Sequence, residues 1–383
     1  MSEVVFILGA GASAHTGAPI MKDFYNKVCD LYDDEVTSKE DKEAFKLIIQ
    51  AKEDLERILV KVDLDLNNLE TIFSLIEMGK LIDIFPGHIS IDKLHEAIQR
   101  VIVRTIELST SYYYKPNSAD AYYLLASEIK FLEEQRKPSR SSVLTFNYDV
   151  AMDLALERLV EGINYCLHEK QGSSAGGFKL LKLHGSFNWA KHKKNGQGGV
   201  IPISPKRFFN EYYPPPPQEK TFITTRDLPI QKQTVKTTFQ IDIGSRINKL
   251  KPDFYSGCEV SLIDNSPLIV PPTWSKTEYH TILRNVWAQA AKEISEAKYI
   301  IIIGYSFPKS DLFFKYLFAL GMLNIHRIKS FWVIDINEDT INGYKEFIGS
   351  PIKKEIFRES RQQFDRFVVE QIHQFFQWNK LIK

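Results

Sequence analysis

Short, nearly continuous apolar runs recur along the chain and predict strands that are buried on both faces of a parallel sheet. They occupy residues 4–8 (VVFIL), 299–303 and 330–334, and two further predicted strands, at 142–145 and 179–183, mix apolar with polar residues. Stretches with helical spacing follow most of these runs, at residues 20–32, 150–160, 276–296 and 310–321. A strand–loop–helix order of this kind predicts an α/β fold, a Rossmann-like doubly wound parallel sheet.

Residues 39–137 interrupt the α/β pattern with apolar spacing that is mainly helical. One stripe runs through Leu55, Ile58 and Leu59, and a second runs from Leu94 to Ile106. We therefore predict a helical module at 39–137, inserted into a nucleotide-binding domain. That domain comprises residues 1–38 and 138–350.

Two further segments differ from the core pattern. Residues 190–257 hold a basic glycine-rich stretch, a proline-rich run and a polar segment, which predict an irregular insertion. Residues 351–383 carry phenylalanines and aliphatic residues on one side, which predicts a C-terminal amphipathic helix. Its apolar side would pack either on the core or on a partner.

Composition excludes several classes of protein. The chain has 383 residues, of which 44% are hydrophobic, so it can bury one large core or two modest ones. A formal net charge of +1 gives no general attraction to nucleic acid or to an anionic membrane. We find neither a long apolar span nor a leader pattern at the N-terminus, and we expect a cytoplasmic protein with no membrane association.

The cysteines argue against a zinc ribbon and against a disulfide framework. Cys29, Cys166 and Cys258 lie far apart and form no CxxC pair. We therefore expect no metal site.

The first motif with chemical meaning is Gly9-Ala10-Gly11-Ala12-Ser13, directly after the first apolar run. Glycines at such a turn allow a pyrophosphate to approach the backbone, and the next helix offers N–H donors to the anion. The spacing, with the next glycine at Gly17, is not the GxGxxG of dehydrogenases. A tight turn without any ligand would also explain it.

Two more motifs stand at predicted strand ends, where ligands of open α/β sheets bind. Thr145-Phe146-Asn147-Tyr148-Asp149 offers an amide and a carboxylate, although both residue types also cap helices. Leu183-His184-Gly185-Ser186 offers an imidazole that can act as a base near neutral pH. A single histidine can equally be a structural residue.

The last two motifs follow the strands at 299–303 and 330–334. They are Gly304-Tyr305-Ser306-Phe307-Pro308-Lys309-Ser310-Asp311, suited to a ribose or a phosphate, and Asp335-Ile336-Asn337, suited to adenosine.

The order GAGAS, TFNYD, LHGS, GYS, IDIN resembles that of the sirtuin superfamily. Gly17 and Pro19 match the family's downstream Gly-x-Pro, whereas the Asp-Phe-Arg that follows it in the family is replaced by IMKDFY. The zinc-binding cysteines of protein deacylases are also absent. The chain is more similar to the sirtuin-like NADases of bacterial antiphage defence, which share GYSFPKSD and a Pro-Thr-Trp segment, here at 272–274.

This resemblance implies a substrate, an activity and partners. The substrate would be NAD⁺, cleaved at the nicotinamide–ribose bond to nicotinamide and ADP-ribose. Because unchecked hydrolysis of NAD⁺ is toxic, we expect the activity to be gated. We also expect the protein to form homo-oligomers. The expected partner is a HerA-type ATPase in a two-gene defence system, with nucleic acid involved only indirectly.

The resemblance also implies roles for individual residues. Asn147 would hold the attacking water and the ribose, and His184 would be the general base. The other motif residues would bind the dinucleotide, with Asp149 near the nicotinamide carboxamide. They are Gly9, Ala10, Gly11, Ala12, Ser13, Pro19, Thr145, Asp149, Gly304, Tyr305, Ser306, Asp311 and Asn337.

Other functions remain open at the level of sequence. NAD-dependent protein deacylation needs an acyl-lysine channel, which sirtuins build partly from the missing zinc module. A non-catalytic NAD-sensing assembly subunit would need the glycine loop but not both Asn147 and His184. Nuclease action would need metal-binding carboxylates, and no ordered set of them stands out.

Overall fold

The computed structural model describes most of the chain. The described residues are 3–35, 37–59, 61–87, 89–115, 119–135, 141–168, 176–192, 199–213, 238–270, 280–308, 311–323, 328–349, 356–379 and 381. The strands are β1 (Val4–Leu8), β2 (Tyr112–Tyr113), β3 (Ser141–Thr145), β4 (Ile163–Asn164), β5 (Phe178–Lys182), β6 (Gly185–His192), β7 (Val200–Pro202), β8 (Thr238–Phe239), β9 (Ile263–Ile269), β10 (Tyr299–Ile303), β11 (Ser330–Ile334) and β12 (Phe357–Ser360).

Helices occupy much of the remaining described chain. They are α1 (Ala10–Ser13), α2 (Phe24–Asp33), α3 (Lys39–Ile58), α4 (Leu69–Ile82), α5 (Ile91–Ser109), α6 (Ala121–Gln135), α7 (Ala151–Glu157), α8 (Pro205–Tyr212), α9 (His280–Glu296), α10 (Leu312–Gly321), α11 (Glu338–Phe347), α12 (Phe364–Glu370) and α13 (Ile372–Trp378). None of these helices has the length and apolarity that crossing a membrane requires.

Seven strands of the described chain form a central parallel sheet in the order β12-β11-β10-β1-β3-β5-β4. Every residue of β1, β3, β10 and β11 is buried, which explains the nearly continuous apolar runs of β1, β10 and β11, whereas β3 (SSVLT) also buries polar residues. Helices flank the sheet. The predicted α/β class with a Rossmann-like parallel sheet is therefore confirmed.

The register of the sheet places the strand ends at one level. Leu8, the last residue of β1, pairs with Thr145 on one side and with Ile303 on the other. Backbone bonds continue past the strands, because Gly9 N–H donates to Ile303 O and Phe146 N–H donates to Leu8 O, both at 3.0 Å. The loops that follow β1, β3 and β10 therefore begin side by side.

The predicted helical character of residues 39–137 agrees with helices α3 to α6. Helix α3 starts at the cap Ser38, whose side chain accepts a hydrogen bond from Asp41 N–H at 3.1 Å. Arg104 on α5 then reaches back to Asp41 on α3 at 2.9 Å. The helices are thereby held against each other, and α4 and α5 extend to the edge of the sheet where the site lies.

The prediction of an irregular insertion at 190–257 is wrong for much of its described part. Strand β7 pairs with β6, and β6 pairs with β9, in an antiparallel sheet. Phe208 on α8 and Tyr255 are fully buried. On α8 and at its C-terminal end the aromatic residues recur with helical spacing, at Phe208, Phe209, Tyr212 and Tyr213, a signal that the glycine-rich and proline-rich runs on either side obscured. Residues 193–198 and 214–237, which include most of the glycine-rich and proline-rich runs, lie outside the described residues.

The prediction of one C-terminal amphipathic helix at 351–383 is also wrong. Strand β12 comes first and extends the sheet beside β11, and two short helices follow with a break at Gln371. The apolar side packs on the chain's own core, since Phe367 and Phe375 each lie 5.0 Å from Trp332 between ring centroids. The alternative of packing on the core is thus the correct one for these side chains.

Candidate functional site

A cleft of about 550 Å³ lies beyond the carboxyl ends of β1, β3, β10 and β11. This volume falls within the range of sites for small molecules and cofactors. Most residues that the sequence predicted for the site line it. They are Ala10, Gly11, Ser13, Pro19, Asn147, Asp149, His184, Gly304, Tyr305, Ser306 and Asn337.

Four predicted site residues are absent from the lining of this cleft. Gly9, Ala12, Thr145 and Asp311 are buried beneath it. Thr145 supports the site, because its hydroxyl oxygen accepts the backbone N–H of Asn147 at 3.1 Å. Direct contact of these four residues with a bound dinucleotide therefore has no support in the cleft's shape.

The glycines of the first motif allow two loops of the chain to touch. A Cβ atom on Gly9 would lie 2.4 Å from the Cα atom of Tyr305, and one on Gly11 would lie 2.8 Å from the Cα atom of Gly304. Gly304 has a φ of +62°, a region that favours glycine. The glycine pattern thus has a structural cause that is independent of any ligand, and Gly11 N–H donates to Gly304 O at 2.9 Å.

Asn147 lies at the centre of a buried hydrogen-bond cluster. Its amide nitrogen donates to Gly9 O and to the hydroxyl oxygen of Ser13, both at 2.9 Å, and lies 3.3 Å from the phenol oxygen of Tyr122. With Nδ2 engaged there, Oδ1 is the side-chain atom that has no hydrogen bond to another described residue. An amide oxygen in this position can accept a hydrogen bond from water or from a sugar hydroxyl.

Asp149 accepts a hydrogen bond at the start of a helix and also joins this cluster. Its Oδ1 accepts the N–H of Ala151 at the start of α7 at 2.9 Å, and its Oδ2 accepts the hydroxyl of Ser13 at 2.7 Å. Because the N-cap residue of α7 is Val150, Asp149 supports the start of the helix without being its cap. The glycine loop and the loop after β3 are thereby joined through side chains.

Tyr122 completes the cluster, and sequence reasoning missed it. Its phenol oxygen lies 2.6 Å from the hydroxyl oxygen of Ser13, within hydrogen-bond distance. Burial, with the charge of Asp149 next, raises the pKa of Tyr122 well above its usual range, so the phenol stays protonated. Tyr122 belongs to α6, inside the helical stretch, where no strand-end motif marks it.

His184 lies two residues after the end of β5, lines the cleft and is 5% exposed. Its ring contacts Phe146 edge to face, with 5.0 Å between centroids. Its Nε2 lies 3.3 Å from Oδ2 of Asp311. The structure therefore brings the two predicted catalytic residues, Asn147 and His184, to one cleft.

A buried ion pair supports the floor of this region. Lys182 is fully buried, and its Nζ donates to Asp153 at 2.9 Å and to the backbone oxygen of Asp149 at 2.6 Å. Tyr165 also donates to Asp153, at 2.7 Å. The pair thus holds the backbone that carries Asp149. The sequence pattern places Lys182 in a strand, but it gives no signal that the charge of this lysine is buried.

The loop after β11 contributes Asn337 and Asp335. Asn337 lines the cleft, and its side-chain oxygen accepts the N–H of Asp339 as the cap of α11, at 2.9 Å. Asp335, which was not among the predicted site residues, lines the cleft as well and accepts the N–H of Asn337 at 2.8 Å. Burial raises the pKa of Asp335 above its ordinary value. This end of the cleft therefore has a carboxyl group that could meet a sugar diol.

Several other lining residues come from segments without a strand-end motif. Within the described chain they include a buried carboxylate, a histidine, a lysine and part of the C-terminal segment: Glu70, His15, Lys22, Gln362, Gln363 and Phe364. A charged residue within the otherwise apolar start of α4 was the one available signal for Glu70. Among the described residues, no group of three or more metal-ligating side chains is found.

His15 makes stability depend on pH. Burial lowers the pKa of His15 below its ordinary value of 6.5, although the carbonyl of Ala12 and nearby carboxylates oppose this change. Its Nε2 is buried without a hydrogen-bond partner in the described structure, so a proton there would be poorly accommodated. Below pH 6.5 the unfolded chain therefore binds this proton more readily, and stability falls as pH falls.

We expect that His15→Asn, which can keep a donor to the Ala12 carbonyl, reduces this loss of stability. The melting temperature, measured by thermal unfolding between pH 7.5 and pH 5, reports this loss of stability. His168→Asn, at an exposed position, is the control. An identical drop in melting temperature for His15→Asn and the unmodified protein would show that His15 does not cause the pH dependence.

No protein-family model matches the chain, and a comparison with curated proteins found no match.

Proposed function

We propose that the cleft binds NAD⁺ and that the chain hydrolyses its nicotinamide–ribose bond to nicotinamide and ADP-ribose. The observation that carries this proposal is the meeting of Asn147 and His184 in one cleft at the carboxyl edge of a parallel sheet. An amide oxygen and an imidazole are the two groups that this hydrolysis needs to orient water and to take up a proton. The order of motifs in the sequence supports the same chemistry.

The charges of the cleft fit the two ends of this substrate. Nicotinamide is cationic in NAD⁺, and bond cleavage builds positive charge on the ribose. Carboxylates at the cleft, among them Asp149 and Glu70, would stabilise that charge. Lys22 at the rim would meet the pyrophosphate. The leaving group departs as neutral nicotinamide, so no acid is required to protonate it.

The roles of the individual residues follow from their contacts. Oδ1 of Asn147 would orient the attacking water and a ribose hydroxyl, while Nδ2 keeps the amide fixed on Gly9 and Ser13. His184 would accept a proton from that water or from a ribose hydroxyl. Asp149, held by Ser13, would lie near the nicotinamide carboxamide.

The wider proposal concerns control of this activity. We propose that the protein is a gated homo-oligomer in the cytoplasm. We also propose that it acts with a HerA-type ATPase in antiphage defence. Their support is the sequence resemblance.

The experiment is incubation of the purified chain with NAD⁺, alone and with a HerA-type ATPase as the proposed partner, followed by chromatography and mass spectrometry. We expect nicotinamide and ADP-ribose in equal amounts. A parallel reaction with an acetyl-lysine peptide detects deacylation, which would yield O-acetyl-ADP-ribose instead. Binding of NAD⁺ without any product, with and without the partner, would contradict hydrolysis and favour a sensing subunit.

A further inference from the structure

Asp311 lies directly behind the imidazole of His184. Its Oδ2 is 3.3 Å from Nε2 of His184, and the two side chains are 1% and 6% exposed. His184 lines the cleft, whereas Asp311 does not. The imidazole therefore stands between the cleft and the carboxylate, and the sequence-based assignment of Asp311 to dinucleotide binding does not fit this placement.

The carboxylate of Asp311 is held in place by two donors besides the histidine. The phenol of Tyr305 donates to Oδ2 at 3.0 Å, and the N–H of Phe314 in the first turn of α10 donates to Oδ1 at 3.2 Å. The ring of Tyr305 stacks on Phe146 with 3.8 Å between centroids. Asp311 is thus an oriented, buried carboxylate with aromatic rings around it.

We propose that Asp311 is the positioning residue of His184 and forms a carboxylate–imidazole pair with it. The proposal rests on the proposed hydrolysis of NAD⁺, in which His184 takes up a proton. A carboxylate facing Nε2 favours the tautomer with hydrogen on Nε2, so the lone pair is on Nδ1. Nδ1 is then the atom that accepts the proton from water or from the ribose hydroxyl.

The pair also acts after the proton has moved. Imidazolium is a cation in a buried environment, and an adjacent carboxylate lowers the free energy of that state. In the proposed step the proton moves to the imidazole, and Asp311 stabilises the imidazolium without taking up the proton itself. The same logic explains carboxylate–histidine pairs in other hydrolases.

Two substitutions separate this role from the capping of α10. Asp311→Ser keeps a cap for Phe314 N–H but is too short to reach His184, and Asp311→Asn keeps the shape but removes the charge. We expect kcat for nicotinamide release to fall about 10- to 100-fold or more in both, in line with the loss of a group that orients a functional histidine. We expect KM for NAD⁺ to change less than about 3-fold, since Asp311 does not line the cleft.

Asp339→Asn is the matched control. It removes a carboxylate from the first turn of the neighbouring helix α11, at an exposed position. It should leave kcat, KM and the melting temperature unchanged. A parallel fall in activity and melting temperature for Asp311→Ser would reduce its effect to helix capping and would overturn the proposal.

A second measurement tests the pairing of Asp311 with His184 even if the chain does not hydrolyse NAD⁺. Nitrogen-15 NMR of the histidine rings reports which nitrogen carries the hydrogen. We expect the Nε2–H tautomer for His184 in the unmodified protein and a shift toward the Nδ1–H tautomer in Asp311→Ser. An Nδ1–H tautomer in the unmodified protein, or identical spectra for the two proteins, would overturn the proposal. Absence of nicotinamide release from the unmodified protein would overturn the proposed function alone.

Discussion

Replacing His184 by alanine should lower kcat for nicotinamide release from NAD⁺ by about 10²- to 10⁴-fold, the usual contribution of a positioned acid or base. The imidazole lines the cleft and is backed by Asp311, so its removal takes away the proton acceptor without opening the sheet. Chromatography of nicotinamide measures the steady-state rate, and circular dichroism checks that the variant is folded.

Asn147→Asp, which keeps the shape of the side chain but replaces the donor to Gly9 O, should also lose most activity.

His373→Ala is the control for His184→Ala. His373 is about half exposed, on α13, and contacts Glu128 at 2.9 Å away from the cleft lining. It should retain the rate of the unmodified protein. Full activity of His184→Ala and of Asn147→Asp would remove both residues from the mechanism.

Asp153→Ala should lower the free energy of unfolding by about 3–5 kcal/mol, because it leaves the ammonium group of Lys182 buried and unpaired. Lys182 is fully buried, and Asp153 is its carboxylate partner at 2.9 Å. Replacing both, as Lys182→Met with Asp153→Ala, removes the unpaired charge and should restore part of the loss. Urea unfolding with linear extrapolation measures both variants and the unmodified protein.

The exposed ion pair of Arg361 and Glu338 provides the comparison. Nη2 of Arg361 lies 2.8 Å from Oε1 of Glu338, but the side chains of Arg361 and Glu338 are 53% and 60% exposed. Glu338→Ala should therefore change stability by less than about 1 kcal/mol. If Asp153→Ala cost no more than Glu338→Ala, the account of a buried charge pair beneath the site would be incorrect.

The sheet and the meeting of its strand ends were predictable because both depend on local patterns. Buried parallel strands need apolar residues on both faces, and Tyr299–Ile303 and Ser330–Ile334 have the bounds that their sequences predicted. Once strands are parallel, the residues that follow them share an edge. On that basis Asn147 and His184 were expected at one edge of the sheet, and their joint role was what the resemblance implied.

Other parts of the site depend on contacts between distant segments, which carry no local signal. Tyr122 meets Ser13 across a separation of 109 residues, and Glu70 reaches the cleft from α4. Asp311 was assigned to the correct loop. Its contact with His184 depends on how the side chains pack, which the local sequence does not indicate. The tail was mistaken for one helix because strand β12 is short and lies at the sheet edge, where half-exposed residues give no apolar run.

In the proposed complex NAD⁺ lies across the carboxyl edge of the sheet, with its nicotinamide ribose between Asn147 and residue 184. A crystal structure of the His184→Ala variant with NAD⁺ tests this most directly, since slow turnover preserves the substrate. We expect the intact dinucleotide in the cleft, with the ribose carbon of the scissile bond beside Oδ1 of Asn147. An empty cleft at saturating NAD⁺, or a dinucleotide bound elsewhere, would contradict it.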